Sequence, residues 1–197
     1  MGRVHTDHGE AAEPEIKTLA SSIVYTDNWM RLRKDDIEFA SGHRGTYAVV
    51  ERRTFALIIP AEDGGFHLVE EYRYPLGRRG WSFPQGAFPA EEDGTPEELA
   101  RMELAQETGL RAARLVRLGS LSACHGSSNQ MGEYFLATGL TPGPTDLEPE
   151  EHGLRNAWRS RVEFEAMIAA GQIIDDSTLA AYALLLLAER RDGLITP

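Results

Sequence analysis

Thr95-Pro96-Glu97-Glu98-Leu99-Ala100-Arg101-Met102-Glu103-Leu104-Ala105-Gln106-Glu107-Thr108-Gly109 contains the start, body and stop of one helix. Thr95 can cap by accepting from a backbone amide, and Pro96 suits the first helical position, where no N–H is needed. Glu98 falls at the third position and completes a capping box. Gly109 follows as a residue at ease in the left-handed conformation on which helices end. The pattern predicts a helix from Thr95 to about Thr108. Each residue advances about 100°, so Glu103 and Glu107 stand roughly 40° apart and border the apolar stripe of Ala100 and Leu104. With Leu104 facing a core, both acids sit on the rim where helix meets sheet, near the loop through Gln85-Gly86. A pair of glutamates can equally be a solvated helix face. On a rim the same pair suits a hard cation, because Mg²⁺ takes oxygen ligands and is held by one or two carboxylates together with substrate phosphates and water. The substrate this implies is phosphorylated.

Upstream of the helix the chain reads as short strands: Ser21 to Thr26, Met30 to Arg33, Ile37 to Ala40, Thr46 to Arg52, Thr54 to Pro60 and Phe66 to Tyr74. Asp27-Asn28, Ser41-Gly42 and the hairpin signal Asp63-Gly64-Gly65 divide them. Downstream, strands are expected over Arg114 to Ser120, Glu133 to Ala137 and Arg155 to Trp158, and helices over Val162 to Ala170 and Ser177 to Arg190. Leu140 to Gly153 differs in kind, since three prolines, two glycines and Asp146, Glu148, Glu150 and Glu151 make it an acidic loop. Strands before and after one helix, with two helices closing the chain, give an α+β fold, an α/β/α arrangement about a mixed sheet. Neither GxGxxG nor GxxxxGK[ST] is present, so phosphate is handled by other means than a glycine-rich cradle.

Composition removes several classes of function. The 197 residues are 42% hydrophobic and 26% charged, the balance of one globular domain with at most a small appendage. Acidic residues outnumber basic ones 31 to 20, and the formal charge of −11 repels both a nucleic-acid backbone and an anionic membrane. A single cysteine, Cys124, excludes an intramolecular disulfide framework. The longest apolar run, Leu179 to Ala188, would rise only about 15 Å as a helix, half of a bilayer core. Residues 1 to 15 show neither a signal-peptide pattern nor apolar periodicity. They read as a disordered tail on a cytoplasmic protein whose partners include no nucleic acid and no membrane.

Met102-Glu103-Leu104-Ala105-Gln106-Glu107-Thr108-Gly109-Leu110, preceded by Pro84-Gln85-Gly86, resembles the Nudix box, a glycine and a glutamate followed by Arg-Glu-apolar-x-Glu-Glu-x-Gly-apolar. Glu70-Glu71-Tyr72-Arg73-Tyr74-Pro75 and Trp81-Ser82-Phe83-Pro84-Gln85-Gly86 resemble the strand and approach loop of its ADP-ribose and nucleotide-sugar pyrophosphatase branch. The likeness runs from about Ile23 onward. It implies a Nudix-type α/β/α sandwich over residues 46–197. It also implies a preceding β segment, 16–45, which in this branch pairs with a second subunit, so a homodimer is expected. The implied cofactor is Mg²⁺ or Mn²⁺, held by Glu103, Glu107 and the backbone carbonyl of Gln85. The implied reaction is hydrolysis of the pyrophosphate of a nucleoside diphosphate joined to a sugar-like group, with ADP-ribose the first candidate.

The resemblance also suggests residues around the metal. In this branch a glutamate of a late loop takes the proton from the attacking water. Glu150 and Glu151, ahead of Glu148, stand where that loop is sought, though the segment can also be read as plain solvated loop. Arg73 can hold a diphosphate through two N–H bonds, or pair on the surface with Glu70 or Glu71. Trp29 and Trp81 can stack on a base or ribose, or serve as core. Gln130 follows Cys124-His125-Gly126-Ser127-Ser128-Asn129 in a turn expected to line the cleft, where relatives carry an acid.

Three positions depart from the box. Met102 replaces its arginine, Gln106 replaces the first of its adjacent glutamates, and the spacing after Gly86 is two residues longer. Methionine can pack but cannot orient a carboxylate, and glutamine brings no negative charge. The early glutamate of the box would fall at Gly94, with Glu91, Glu92 and Asp93 just before it as substitutes. These departures motivate the alternative of a nucleotide-binding or regulatory domain with weakened turnover.

Overall fold

The computed structural model describes residues 15–88, 93–145 and 153–193, so the expected tail lies almost entirely outside the described residues. The chain divides into two compact units between Glu51 and Arg52. The first is an antiparallel sheet of three strands in sequential order, β1 (Ile16–Thr26), β2 (Arg31–Phe39) and β3 (Arg44–Glu51). β2 is one strand where two were expected. It continues through Lys34-Asp35-Asp36 because buried Asp35 has partners: its carboxylate accepts from the Arg33 guanidinium at 2.9 Å. The Arg33 bonds first, then one from Ser21, hold this carboxyl below the usual carboxylate range. β3 pairs with β2 as far as Arg31↔Glu51, which carries this unit to Glu51 rather than to residue 45.

The second unit contains β4 (Phe55–Glu62), β5 (Gly65–Arg73), a 3-10 turn at Tyr74–Leu76, β6 (Arg78–Ser82) and β7 (Gln85–Gly86). Helix α1 (Pro96–Thr108), β8 (Leu110–Ser122), β9 (Met131–Pro142), β10 (Arg155–Ser160), α2 (Arg161–Ala169) and α3 (Asp176–Asp192) follow. The strand order is β10-β5-β4-β9-β8, with β6 paired to β5 and β7 to β4. β4 and β9 are parallel and the other pairs antiparallel, so the sheet is mixed. Leu140 to Pro142, expected as loop, instead close β9 in register with β8. Among the described residues no helix is long and apolar enough to cross a membrane.

Side chains of β4 alternate between two cores, as the period of a strand requires. Leu57 and Ile59 join Phe66, Phe83, Phe164 of α2 and Tyr182 of α3 on one face. Ala56 and Ile58 meet Leu99, Ala100 and Leu104 of α1 on the other. Helices cover both faces, so β4 is buried nearly throughout and reads as a continuous apolar run. The cap of α1 forms as its sequence dictates, with the Thr95 hydroxyl accepting from Glu98 N–H at 3.2 Å and the Glu98 carboxylate accepting from Thr95 N–H at 2.7 Å. Gly109 ends the helix at φ 72°, and a Cβ there would stand 2.7 Å from the Gly143 carbonyl oxygen. Both the left-handed backbone and this close approach require glycine.

Candidate active site

The short segment Phe83–Gly86 is fixed to the sheet beside α1. Phe83 N–H donates to Thr178 Oγ1 at 3.0 Å, Ile58 N–H donates to the Pro84 carbonyl at 3.0 Å, and β7 pairs Leu57↔Gln85 and Ala56↔Gly86. Glu103 and Glu107 emerge on the face of α1 that meets this segment, and each is only 5% exposed. Gln85 N–H donates to Glu107 Oε2 at 3.3 Å. A Cβ on Gly86 would lie 2.5 and 2.6 Å from Glu103 Cδ and Oε2, so the carboxylate occupies the space that only glycine leaves open. Both acids therefore converge on the Gln85-Gly86 backbone.

This donor set fits a divalent cation. Its atoms are all oxygens, the two carboxylates bring the charge a hard ion seeks, and a glycine lets backbone and carboxylate approach closely. Among the described residues no group of three or more His, Cys, Asp or Glu side chains forms a metal site by itself. A cation at the pair would complete its shell with further oxygens, of which backbone, water and phosphate are kinds that Mg²⁺ takes.

The departures from the box have visible consequences. Met102 packs against the core on the α1 side, and Gln106 is half-buried. Arg101 is no replacement for the missing arginine, because its guanidinium donates to the Ala112 carbonyl and to Glu97, both at 2.9 Å. Arg53 instead spans the ends of the longer loop, donating to the Phe88 carbonyl at 3.2 Å and to Asp93 Oδ1 at 2.6 Å. Glu91 and Glu92 lie outside the described residues.

The remaining expected residues fall in several places. Arg73 is ion-paired with Glu71, the surface alternative, and also lines a cavity of about 320 Å³ with Leu76, Trp81, Ile174, Asp175 and Asp176. One face of Trp81 is covered by the Arg159 guanidinium, 5.2 Å from the ring centroid. Trp29 belongs to the first unit, in the turn between β1 and β2, and is 59% exposed. Gln130 donates through Nε2 to the Arg53 carbonyl at 3.0 Å, which ties the β8–β9 loop to the start of β4. Glu148, Glu150 and Glu151 lie outside the described residues. The flanks of their loop are pinned, Gly143 N–H donating to the Gly109 carbonyl at 2.6 Å and Arg79 to the Gly153 carbonyl at 2.7 Å. Sequence reasoning missed Asp175 and Thr178, at the first turn of α3. Their cap pattern is visible in the chain, but their bonds to Gln85 and Phe83 have no local signal.

Comparison with known proteins gives a consistent picture. Residues 16–50 match the family described as nucleoside diphosphate sugar hydrolase N-terminal domain, and residues 50–181 match the NUDIX domain. The chain is 30% identical over 172 residues to the ADP-ribose pyrophosphatase of Mycobacterium tuberculosis, covering 86% of this chain and 82% of that protein. It is 27% identical over 128 residues to the ADP-ribose pyrophosphatase of Bacillus subtilis, covering 64% and 68%. The methanol dehydrogenase activator of Bacillus methanolicus is likewise 27% identical over 128 residues, with the same shares. A crystal structure described as an ADP compounds hydrolase superposes with a TM-score of 0.81, covering 94% of this chain and 100% of that one at 19% identity, a likeness of fold.

Proposed function

Because the chain belongs to the Nudix family and is a pyrophosphatase acting on nucleoside diphosphate derivatives, we propose that it cleaves the pyrophosphate of ADP-ribose or a nucleotide sugar with Mg²⁺ or Mn²⁺. The observation that carries this reading is the convergence of two nearly buried carboxylates, Glu103 and Glu107, on the Gln85-Gly86 backbone. The cation would be held by these carboxylates and the Gln85 carbonyl, and when bound it supplies Lewis-acid stabilisation of charge on the bridging phosphates. Water adds to one phosphorus, the bridging P–O bond breaks, and a nucleoside monophosphate and a sugar phosphate leave. The proton lost by that water goes to a carboxylate, for which Glu150 and Glu151 are the candidates. Arg73, which lines a cavity together with Asp175, would exchange its partner Glu71 for a diphosphate oxygen.

Phosphate release through a coupled phosphatase tests this reading, with ADP-ribose, nucleotide sugars, dinucleoside polyphosphates and nucleoside triphosphates offered in Mg²⁺ or Mn²⁺. Cleavage of the first two classes, abolished by EDTA, is the expected result. Silence across the panel with ligand-induced stabilisation intact would make the chain a binding domain, and Met102 and Gln106 its explanation.

The assembly belongs to the same reading. Ile23, Val24 and Tyr25 of β1 and the adjacent Trp29 are exposed apolar side chains, and sets of this kind mark surfaces that pair. A homodimer through the first unit is the proposed state. Light scattering should give the mass of two chains, and a monomer with full activity would overturn this part alone.

A further inference from the structure

We propose that the first turn of α3 positions the metal cradle, Asp175 acting through the side chain of Gln85 and Thr178 through the backbone of Phe83; the inference rests on the metal-dependent reading of the Glu103–Glu107 pair. Asp175 Oδ2 accepts two bonds, from Thr178 N–H at 2.8 Å as the cap of α3 and from Gln85 Nε2 at 3.1 Å. Thr178 is fully buried, and its hydroxyl accepts from Phe83 N–H at 3.0 Å. Two bonds from one helical turn thus hold both ends of Phe83-Pro84-Gln85. This segment carries the Gln85 N–H bonded to Glu107 and the Gln85 carbonyl that the metal-dependent reading makes a ligand.

Without the α3 anchor, Gln85 would be held by the two-residue pairing of β7 on β4, by the Ile58 N–H bond to the Pro84 carbonyl and by its own N–H bond to Glu107. Those bonds fix the Pro84–Gln85 peptide on both sides, but the plane after Gln85, which carries its carbonyl, is left to the end of a short ladder and can rock. The Gln85 side chain blocks that motion by tying the residue to a rigid helix terminus. Partners one step removed from a metal commonly set its affinity in this way. Asp175 also forms part of the wall of the 320 Å³ cavity, so the cradle and that cavity share a residue.

Mn²⁺ binding to the full chain, read from the electron paramagnetic resonance signal of the free ion, tests the proposal without recourse to turnover. Gln85→Met keeps the backbone groups and the side-chain length but loses the amide. Asp175→Ser keeps a good helix cap but is too short to reach Gln85. Each is expected to weaken Mn²⁺ binding roughly tenfold while moving the melting temperature by no more than about 2 °C. The double variant should bind no more weakly than the poorer single, because both remove one contact. Asp175→Asn retains an oxygen for both donors and should bind within about twofold of wild type. Wild-type affinity in Gln85→Met and Asp175→Ser, with binding lost in Glu107→Gln, overturns this inference and leaves the proposed function standing. Additive losses in the double variant, or losses that merely track a lowered melting temperature, also overturn it. A wild-type chain that binds no Mn²⁺ removes both.

Discussion

Glu107→Gln is expected to lower turnover about a thousandfold while leaving the fold intact. Glutamine matches the volume of glutamate, and its amide oxygen can still accept the bond from Gln85 N–H, so the helix and the segment beside it lose nothing in shape. What is lost is one of two negative charges that face the cradle. Charge stabilisation by a metal is worth several kcal/mol in a transition state, and every 1.4 kcal/mol is about a factor of ten. Stability should move in the opposite sense. Glu103 and Glu107 are like charges four residues apart, and each is only 5% exposed; neutralising one relieves their repulsion when no cation is present. In EDTA the variant should therefore melt at or above the wild-type temperature. With Mn²⁺ at about a hundred times its dissociation constant, the wild type should gain roughly 2.7 kcal/mol, and the variant much less. Retained turnover, or an equal gain on adding Mn²⁺, would show that Glu107 does not hold the metal.

Helix α1 was legible because its signals are local. A cap, a proline, a third-position glutamate and a terminal glycine all act within one or two turns of where they stand in the chain, and the angles of Glu103 and Glu107 follow from helical geometry alone. β2 was less legible because Asp35 and Asp36 look like a turn. The strand survives there because Arg33, two residues away on the same face, satisfies Asp35. β6 was not legible at all, since Arg78-Arg79-Gly80 follows a proline and a glycine and has no apolar alternation. It forms because β5 offers a free edge from Val69 to Arg73 and because Arg79 closes an ion pair with Glu70 across that edge. The site divides in the same way. The carboxylate pair followed from helical spacing and Gly86 from the resemblance to the box, whereas the anchor of Gln85 lies 90 residues away on α3 and has no pattern to announce it.

Gly86→Ala separates the demands of the fold from those of the site. Gly86 lacks a positive φ, so alanine meets no backbone penalty there. The obstacle is the Glu103 carboxylate, whose Cδ and Oε2 would stand 2.5 and 2.6 Å from the new methyl group. A carboxylate at the end of a flexible side chain can swing aside at small cost, and the two-residue pairing of Gln85 and Gly86 with β4 need not change. The fold is thus expected to persist, with a melting temperature within a few degrees of wild type and the α1 cap intact. The carboxylate, however, can move only by leaving the Gln85-Gly86 backbone, which is where the cation would sit. A displacement of about 1 Å at such a site can cost a hundredfold, so kcat and Mn²⁺ affinity should both fall by roughly that factor. A serine in place of Gly86 meets the same carbon and should behave alike, which rules out polarity as the cause. Should Gly86→Ala keep wild-type Mn²⁺ affinity, Glu103 has room to coordinate from a second position, and the close approach of glycine and carboxylate is then a matter of packing. Should it instead unfold the chain, Glu103 is held by its surroundings more firmly than a metal ligand needs, and the site is built around that rigidity.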